Sequence, residues 1–217
     1  KVVTFIHQLT RENWCSGLPL PLAFIGFHAE DVMLSIYRGK VAMVPSESTR
    51  QDLHSLGFKD VSIVHEATDI SPPAGAEKEI VPTLIYLGRL TRSKRVDHAL
   101  RAFKFVKDGL RRADCGQKGR KGQARLWIVG SGPEERRLRE LSRSLGISDS
   151  VEFFGKVDET MKAGLLSRAH LALFPAVREG WGLVVLEANA CGTPVIGYDV
   201  HGLRDSIIDN VNGLIVP

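Results

Sequence analysis

The chain has 217 residues, 43% hydrophobic and 25% charged, with a formal net charge of +4 and a mean hydropathy of −0.04. That is the composition of a globular protein with apolar material enough for a core that needs no metal or disulfide staples. No apolar run reaches the ~18 residues of a membrane span, and neither interleaved aromatics nor finger spacing marks a nucleic-acid binder.

Strand-like and helix-like runs alternate along the chain, the pattern of an α/β fold with parallel sheets and crossover helices. Residues 2–6 read as a strand, 22–37 as a mostly apolar helix and 41–44 as a second strand ending at Pro45. SESTRQDLHSLGF follows as a capped helix with Leu53 and Leu56 on one face and Gly57 as its stop. A third strand is expected at 61–64. ATDISPPAGAEKEIVP, residues 67–82, is rich in Pro, Ala and Gly, has no apolar period and reads as an interdomain linker. The expected division is therefore 1–70, a linker at 71–82, and a second domain at 83–217.

Past the linker, 83–87 is a strand, and Val96, Leu100, Phe103 and Val106 mark a helix. Residues 109–123 read as a basic, Gly-containing loop before a strand at 125–129. Pro133 opens a helix with Leu138, Leu141 and Leu145 inward and Gly146 as its stop. Strands at 151–154 and 171–174 flank a helix at 159–169. A helix from Leu183, a strand and a final strand at 214–216 complete the chain. The first part has only three strands and the last strand has no helix to cover it, so both ends read as cut. The chain also opens on Lys1 rather than Met. Three widely spaced cysteines (Cys15, Cys115, Cys191) suggest reduced thiols and a cytoplasmic protein.

Ligands of open parallel sheets bind at the carboxyl ends of strands, which places any chemistry in the four strand-to-helix turns after the linker. In LGRLTRSKRVD, Gly88 permits a tight turn, and Arg89 and Lys94, five apart, suit a diphosphate; plain surface cations are the alternative. VGSGPEE, with Gly130 and Gly132, carries Glu135 where a third glycine would complete a dinucleotide fingerprint. This counts against a nicotinamide or flavin site, and leaves either a tight turn before Pro133 or contact with another ligand. FFGKVDE offers the backbone of Gly155, Lys156 and Val157 to a flat base, or simply turns.

The fourth turn is REGWGLVVLEANACGTPVIGYD, residues 178–199. Gly180 and Gly182 free the amides of a helix N-terminus for an anion. Glu179 precedes that helix, and Glu187 on it points back toward the N-terminus, so both carboxylates approach one ligand with vicinal hydroxyls. A solvent-facing Glu pair is the alternative. Nine basic against two acidic residues between Arg101 and Arg125 form either a solvated face or a patch for anionic lipid or substrate.

Taken in order, G-R with Lys five after the Arg, V-G-x-G-P, F-x-G and E-G-x-G-L-x-x-L-E-A-x-A-x-G-x-P-V-I resemble the donor-binding half of family 4 retaining glycosyltransferases. These have the GT-B architecture of two Rossmann-like domains. The resemblance covers 83–217 and, less fully, 2–67 as the closing part of the acceptor domain. It implies transfer of a hexose from a nucleoside diphosphate sugar (UDP or GDP) to a hydroxyl of a glycan, lipid-linked or small-molecule acceptor, with retained configuration. Arg89 and Lys94 match the pair that binds the diphosphate and stabilises the leaving group. Glu187 matches the acid that accepts the ribose hydroxyls, and Glu179 the acid that contacts the transferred sugar. The amides of Gly182, Leu183 and Val184 match the phosphate cradle, Gly155, Lys156 and Val157 lie where the base stacks, and Gly88 and Gly130 belong to turns on the nucleotide side.

His7, in FIHQLTRE, matches a histidine facing the donor sugar across the cleft. The resemblance implies no metal and no cofactor beyond the nucleotide-sugar substrate. Its partners would be that donor and the acceptor, with peripheral contact to an anionic membrane and no nucleic acid. Departures from the pattern are VHGLRD, with His201 and Asp205 where the family has Gly and Glu, and HEATD where an Asn-Gly turn is commoner. A GT-B phosphorylase or epimerase, and a nucleotide-sugar-binding unit without activity of its own, are the alternatives.

Overall fold

A computed structural model of the chain describes residues 2–113 and 123–217. The first unit runs β1 (Val3–Phe5), α1 (Glu12–Gly17), α2 (Leu20–Ser35), β2 (Val41–Val44), α3 (Glu47–Ser55) and β3 (Val61–Ile63). Its three strands are parallel in the order β1-β2-β3, with Phe5 beside Met43 and Val44 beside Ile63. The core is small: Leu9, Ala42, Val44, Leu53 and Phe58. Ser46 starts α3 as the sequence requires, its Oγ accepting the Thr49 amide at 3.2 Å.

The second unit runs β4 (Thr83–Leu87), α4 (Val96–Ala113), β5 (Arg125–Val129), α5 (Glu135–Ser144), β6 (Val151–Gly155) and α6 (Glu159–Arg168). It continues through β7 (Leu171–Phe174), α7 (Leu183–Ala190), β8 (Val195–Tyr198), α8 (Leu203–Ser206) and β9 (Gly213–Val216). All six strands are parallel, ordered β6-β5-β4-β7-β8-β9. TLIYL of β4 is buried along its whole length because both faces are covered. Ile85 and Leu87 point into a core with Trp127, Phe174 and Val185, while Leu84 and Tyr86 point into one with Leu100, Phe103 and Leu126.

The chain builds outward from β4 to β6, then returns to build outward from β7 to β9. The winding reverses between β4 and β7, and their carboxyl ends splay a crevice there.

Residues 109–113, expected to open a loop, instead finish α4. Leu110 packs on the core beside that helix, and this contact outweighs the cost of one Gly, about 1 kcal/mol, at position 109. The rest of the expected loop lies outside the described residues. Helices α1 and α8, not expected from the sequence, are 6 and 4 residues long. No helix among the described residues is long and apolar enough to cross a membrane.

Candidate functional site

A cavity of about 240 Å³ opens at the carboxyl ends of β4 and β7, where the winding reverses. The turn after β4 contributes Gly88, Arg89 and Lys94, and the turn after β7 contributes Glu179, Gly182, Leu183 and Val184. His7, just past β1, closes it from the first sheet. The expected site residues of the first and fourth turns thus meet in one place, with the exception of Glu187.

The second turn braces the first, and the third braces the second. The Gly88 amide donates to Val129 O, Leu90 to Ser131 O and Glu134 to Leu90 O, each at 3.0 Å. The two backbones run so close that a Cβ on Gly130 would stand 2.0 Å from Gly88 O, and one on Gly132 2.4 Å from Leu90 O. Gly130 in turn donates to Gly155 O at 2.8 Å. Gly130, Gly155, Lys156 and Val157 line no part of the cavity; Lys156 is exposed and Val157 packs on the core.

Tyr86 was not anticipated from the sequence. Its buried hydroxyl donates to Arg89 O at 2.9 Å and pins the Gly88–Arg89 turn from below. Burial, reinforced by the charge of Glu179, pushes the phenol far above its usual range, so it stays a donor. A Tyr at the end of a fully buried strand needs a partner for its hydroxyl, and that was the available clue.

Lys94 ends a short 3₁₀ turn, Arg92–Lys94, ahead of α4, and its ammonium contacts the Glu179 carboxylate. Both side chains are 16% exposed. The Val177 amide donates to Ser93 O at 2.8 Å, tying the two turns together at the backbone.

Glu179 is held from behind by the VHGLRD loop, its amide donating to His201 O at 3.0 Å. A Cβ on Gly202 would lie 2.3 Å from Glu179 O, and Gly202 has φ +81°. The geometry therefore demands glycine at 202, while the neighbouring position holds His201. Asp205, in place of Glu, accepts the Gly202 amide at 3.1 Å and the Ser48 amide at 3.2 Å, linking α8 to α3.

Gly180 makes room for His7, whose carbonyl would be 2.5 Å from a Cβ there. The His7 ring turns its Nδ1 to Glu66 Oε1 at 2.8 Å, so HEATD supplies the histidine's partner. Trp181 follows, stacked on His65 with ring centres 4.5 Å apart and donating its indole N–H to Glu66 O at 3.1 Å.

Glu187 stands outside the cavity wall, where Lys162 of α6 contacts its Oε1 at 2.7 Å. Neither Lys162 nor Arg178 stood out in the sequence. Arg178, next to Glu179, is buried between Glu12, at 2.7 Å, and Asp52. Partners 166 and 126 positions away leave no local pattern to read. The basic run is not one free face: Lys104 pairs with Asp108 at 2.8 Å and Lys107 is buried against Ser150, while Arg101 and Arg112 are exposed.

Residues 68–217 match the family model described as glycosyl transferases group 1. The chain belongs to that family. It is 36% identical over 213 residues, 95% of its length, to N-acetyl-alpha-D-glucosaminyl L-malate synthase of Bacillus anthracis, covering 52% of that protein. To D-inositol 3-phosphate glycosyltransferase 2 of Catenulispora acidiphila it is 30% identical over 190 residues, covering 85% of this chain and 41% of the relative. The chain thus spans about half the length of these relatives. Among solved structures, Anabaena HepE in complex with UDP-glucose superposes with a TM-score of 0.74 at 16% identity, over 99% of this chain and 57% of its own. The fold is that of GT-B glycosyltransferases over the part this chain spans.

Proposed function

We propose that the whole protein transfers a hexose from a nucleoside diphosphate sugar to an acceptor hydroxyl with retained configuration, and that this chain carries its donor site. The observation that supports this most is the cavity where β4 and β7 part. It puts two cations, a carboxylate and an uncapped helix start around one small space. Departure of the diphosphate builds negative charge, which Arg89, Lys94 and the first amides of α7 stabilise. No side chain caps α7 among the described residues, leaving those amides for phosphate oxygens.

Glu179 accepts sugar hydroxyls and Glu187 ribose hydroxyls, both as ionised acceptors. Lys94 and Glu179 neutralise each other until the donor separates them, one toward phosphate and the other toward sugar. His7 faces the sugar from the first sheet. The reading needs no metal, since protein cations supply the leaving-group charge. UDP-sugars come first among donors because the superposing HepE structure holds UDP-glucose.

Calorimetry with UDP-, GDP- and ADP-glucose provides the test. One nucleotide sugar should bind with release of heat, and Arg89→Ala and Lys94→Ala should each weaken it about tenfold or more, the range of charge-assisted contacts. Absence of binding by any of the three, or indifference to both substitutions, overturns the proposal.

A further inference from the structure

Lys162 has no place in the chemistry above, yet the geometry of its pair with Glu187 is specific. Lys162 Nζ lies 2.7 Å from Glu187 Oε1 and 2.6 Å from Glu159 Oε2. Lys162 and Glu187 are 14% and 16% exposed, whereas Glu159 is 81% exposed. The lysine therefore sits between a sheltered carboxylate and a solvated one. Its helix, α6, emerges from the Gly155–Val157 turn and carries Lys162 in its first turn, anchored where the Lys162 amide donates to Asp158 O at 2.9 Å. Glu187 lies on α7, which emerges from Gly182. The ion pair thus bridges α6 to α7, the helix whose leading turn, Gly182, Leu183 and Val184, lines the cavity.

We infer that Lys162 is a positioning residue for Glu187, fixing the carboxylate so that its remaining acceptor sites meet the two ribose hydroxyls of the donor nucleotide; this rests on the function proposed above. An ionised carboxylate offers about four acceptor sites, and the ammonium takes one on Oε1. A free Glu side chain would have to be ordered by the ligand itself, whereas the half-buried pair meets that cost before binding. Burial pulls the Lys162 ammonium down, but Glu159 and Glu187 outweigh it and hold the group above its usual range. Lys162 therefore stays charged, and Glu187 keeps its partner, throughout neutral pH.

The test pairs protein and ligand variants: calorimetry of UDP and of 2′,3′-dideoxy-UDP with the unaltered chain, Lys162→Met, Lys162→Arg and Glu187→Gln. Lys162→Met should weaken UDP about tenfold and the dideoxy nucleotide less than twofold. Lys162→Arg should recover part of the loss, and Lys162→Met should add nothing in a Glu187→Gln background. Because each comparison lies within one variant, a general loss of stability would affect both nucleotides alike. An equal loss for both, or an additive loss in the Glu187→Gln background, overturns the inference alone. If no nucleoside diphosphate binds the unaltered chain, the proposed function fails and this inference with it.

Discussion

At the scale of single residues, the glycines of the turns differ in what they are for. Gly130 combines φ +128° with a neighbour, Gly88 O, that a Cβ would meet at 2.0 Å. Gly146 has φ +66° and open space around it. Gly146→Ala should therefore cost only the left-handed strain, about 1–2 kcal/mol. Gly130→Ala bears a backbone collision as well and must displace the Gly88–Arg89 turn, so its loss should exceed that of Gly146→Ala. Urea unfolding of both variants measures this. Nucleotide affinity should fall for Gly130→Ala alone, since only its neighbour carries Arg89. Equal stability losses with equal affinities would show that the turn yields freely and does not position the cation.

At the scale of elements, two neighbouring side chains fasten the linker, Glu79 through Arg168 and Arg125, and Lys78 through the ends of two helices. Lys78 Nζ donates to Ala169 O at 2.6 Å, Gly192 O at 2.9 Å and Thr193 Oγ1 at 2.8 Å. The two carbonyls lie just beyond α6 and α7, where a cation complements both helix dipoles at once. Lys78→Met keeps the aliphatic stem but removes the donor, and should lower stability by about 1.5–3 kcal/mol, the range for bonds to a charged group. A shift below 0.5 kcal/mol in urea unfolding, typical of a neutral surface change, would show that water replaces the ammonium.

Elements also divide by what made them readable. Strands β4, β5, β6, β7 and β9 fell within a residue of expectation, the inner ones because burial on both faces writes itself into composition as short apolar runs. Helix α1 did not, since its six residues repeat no apolar period and it is held by contacts such as Glu12 with Arg178. The candidate site was legible where a turn brings its own residues: Gly88, Arg89, Lys94, Glu179 and Gly182–Val184 all reach the cavity. Its supports were not. Lys162 and Glu187 lie 25 positions apart on separate helices, and no spacing rule links them.

At the scale of the whole molecule, the two sheets are joined through the same segment that builds the site. Arg178 reaches from the turn after β7 to Glu12 of α1 and Asp52 of α3, with only 2% of its side chain exposed. His201 Nε2 stands 3.6 Å from the same Asp52. Arg178 is covalently next to Glu179, so any shift of the first unit against the second is felt one residue from the cavity. Removing one partner of a buried pair costs about 3–5 kcal/mol where it strands the other charge, and without Asp52 the Arg178 guanidinium still keeps Glu12. Arg178→Met should show a loss of that order in chemical denaturation, and Asp52→Asn a smaller one because Glu12 stays in place. The double variant should lose much less than their sum, because the second change removes the charge that the first left stranded. Strict additivity would mean that Asp52 and Arg178 are solvated independently, and that the two units are held together by the Trp181–His65 stack and the Asp205–Ser48 bond instead.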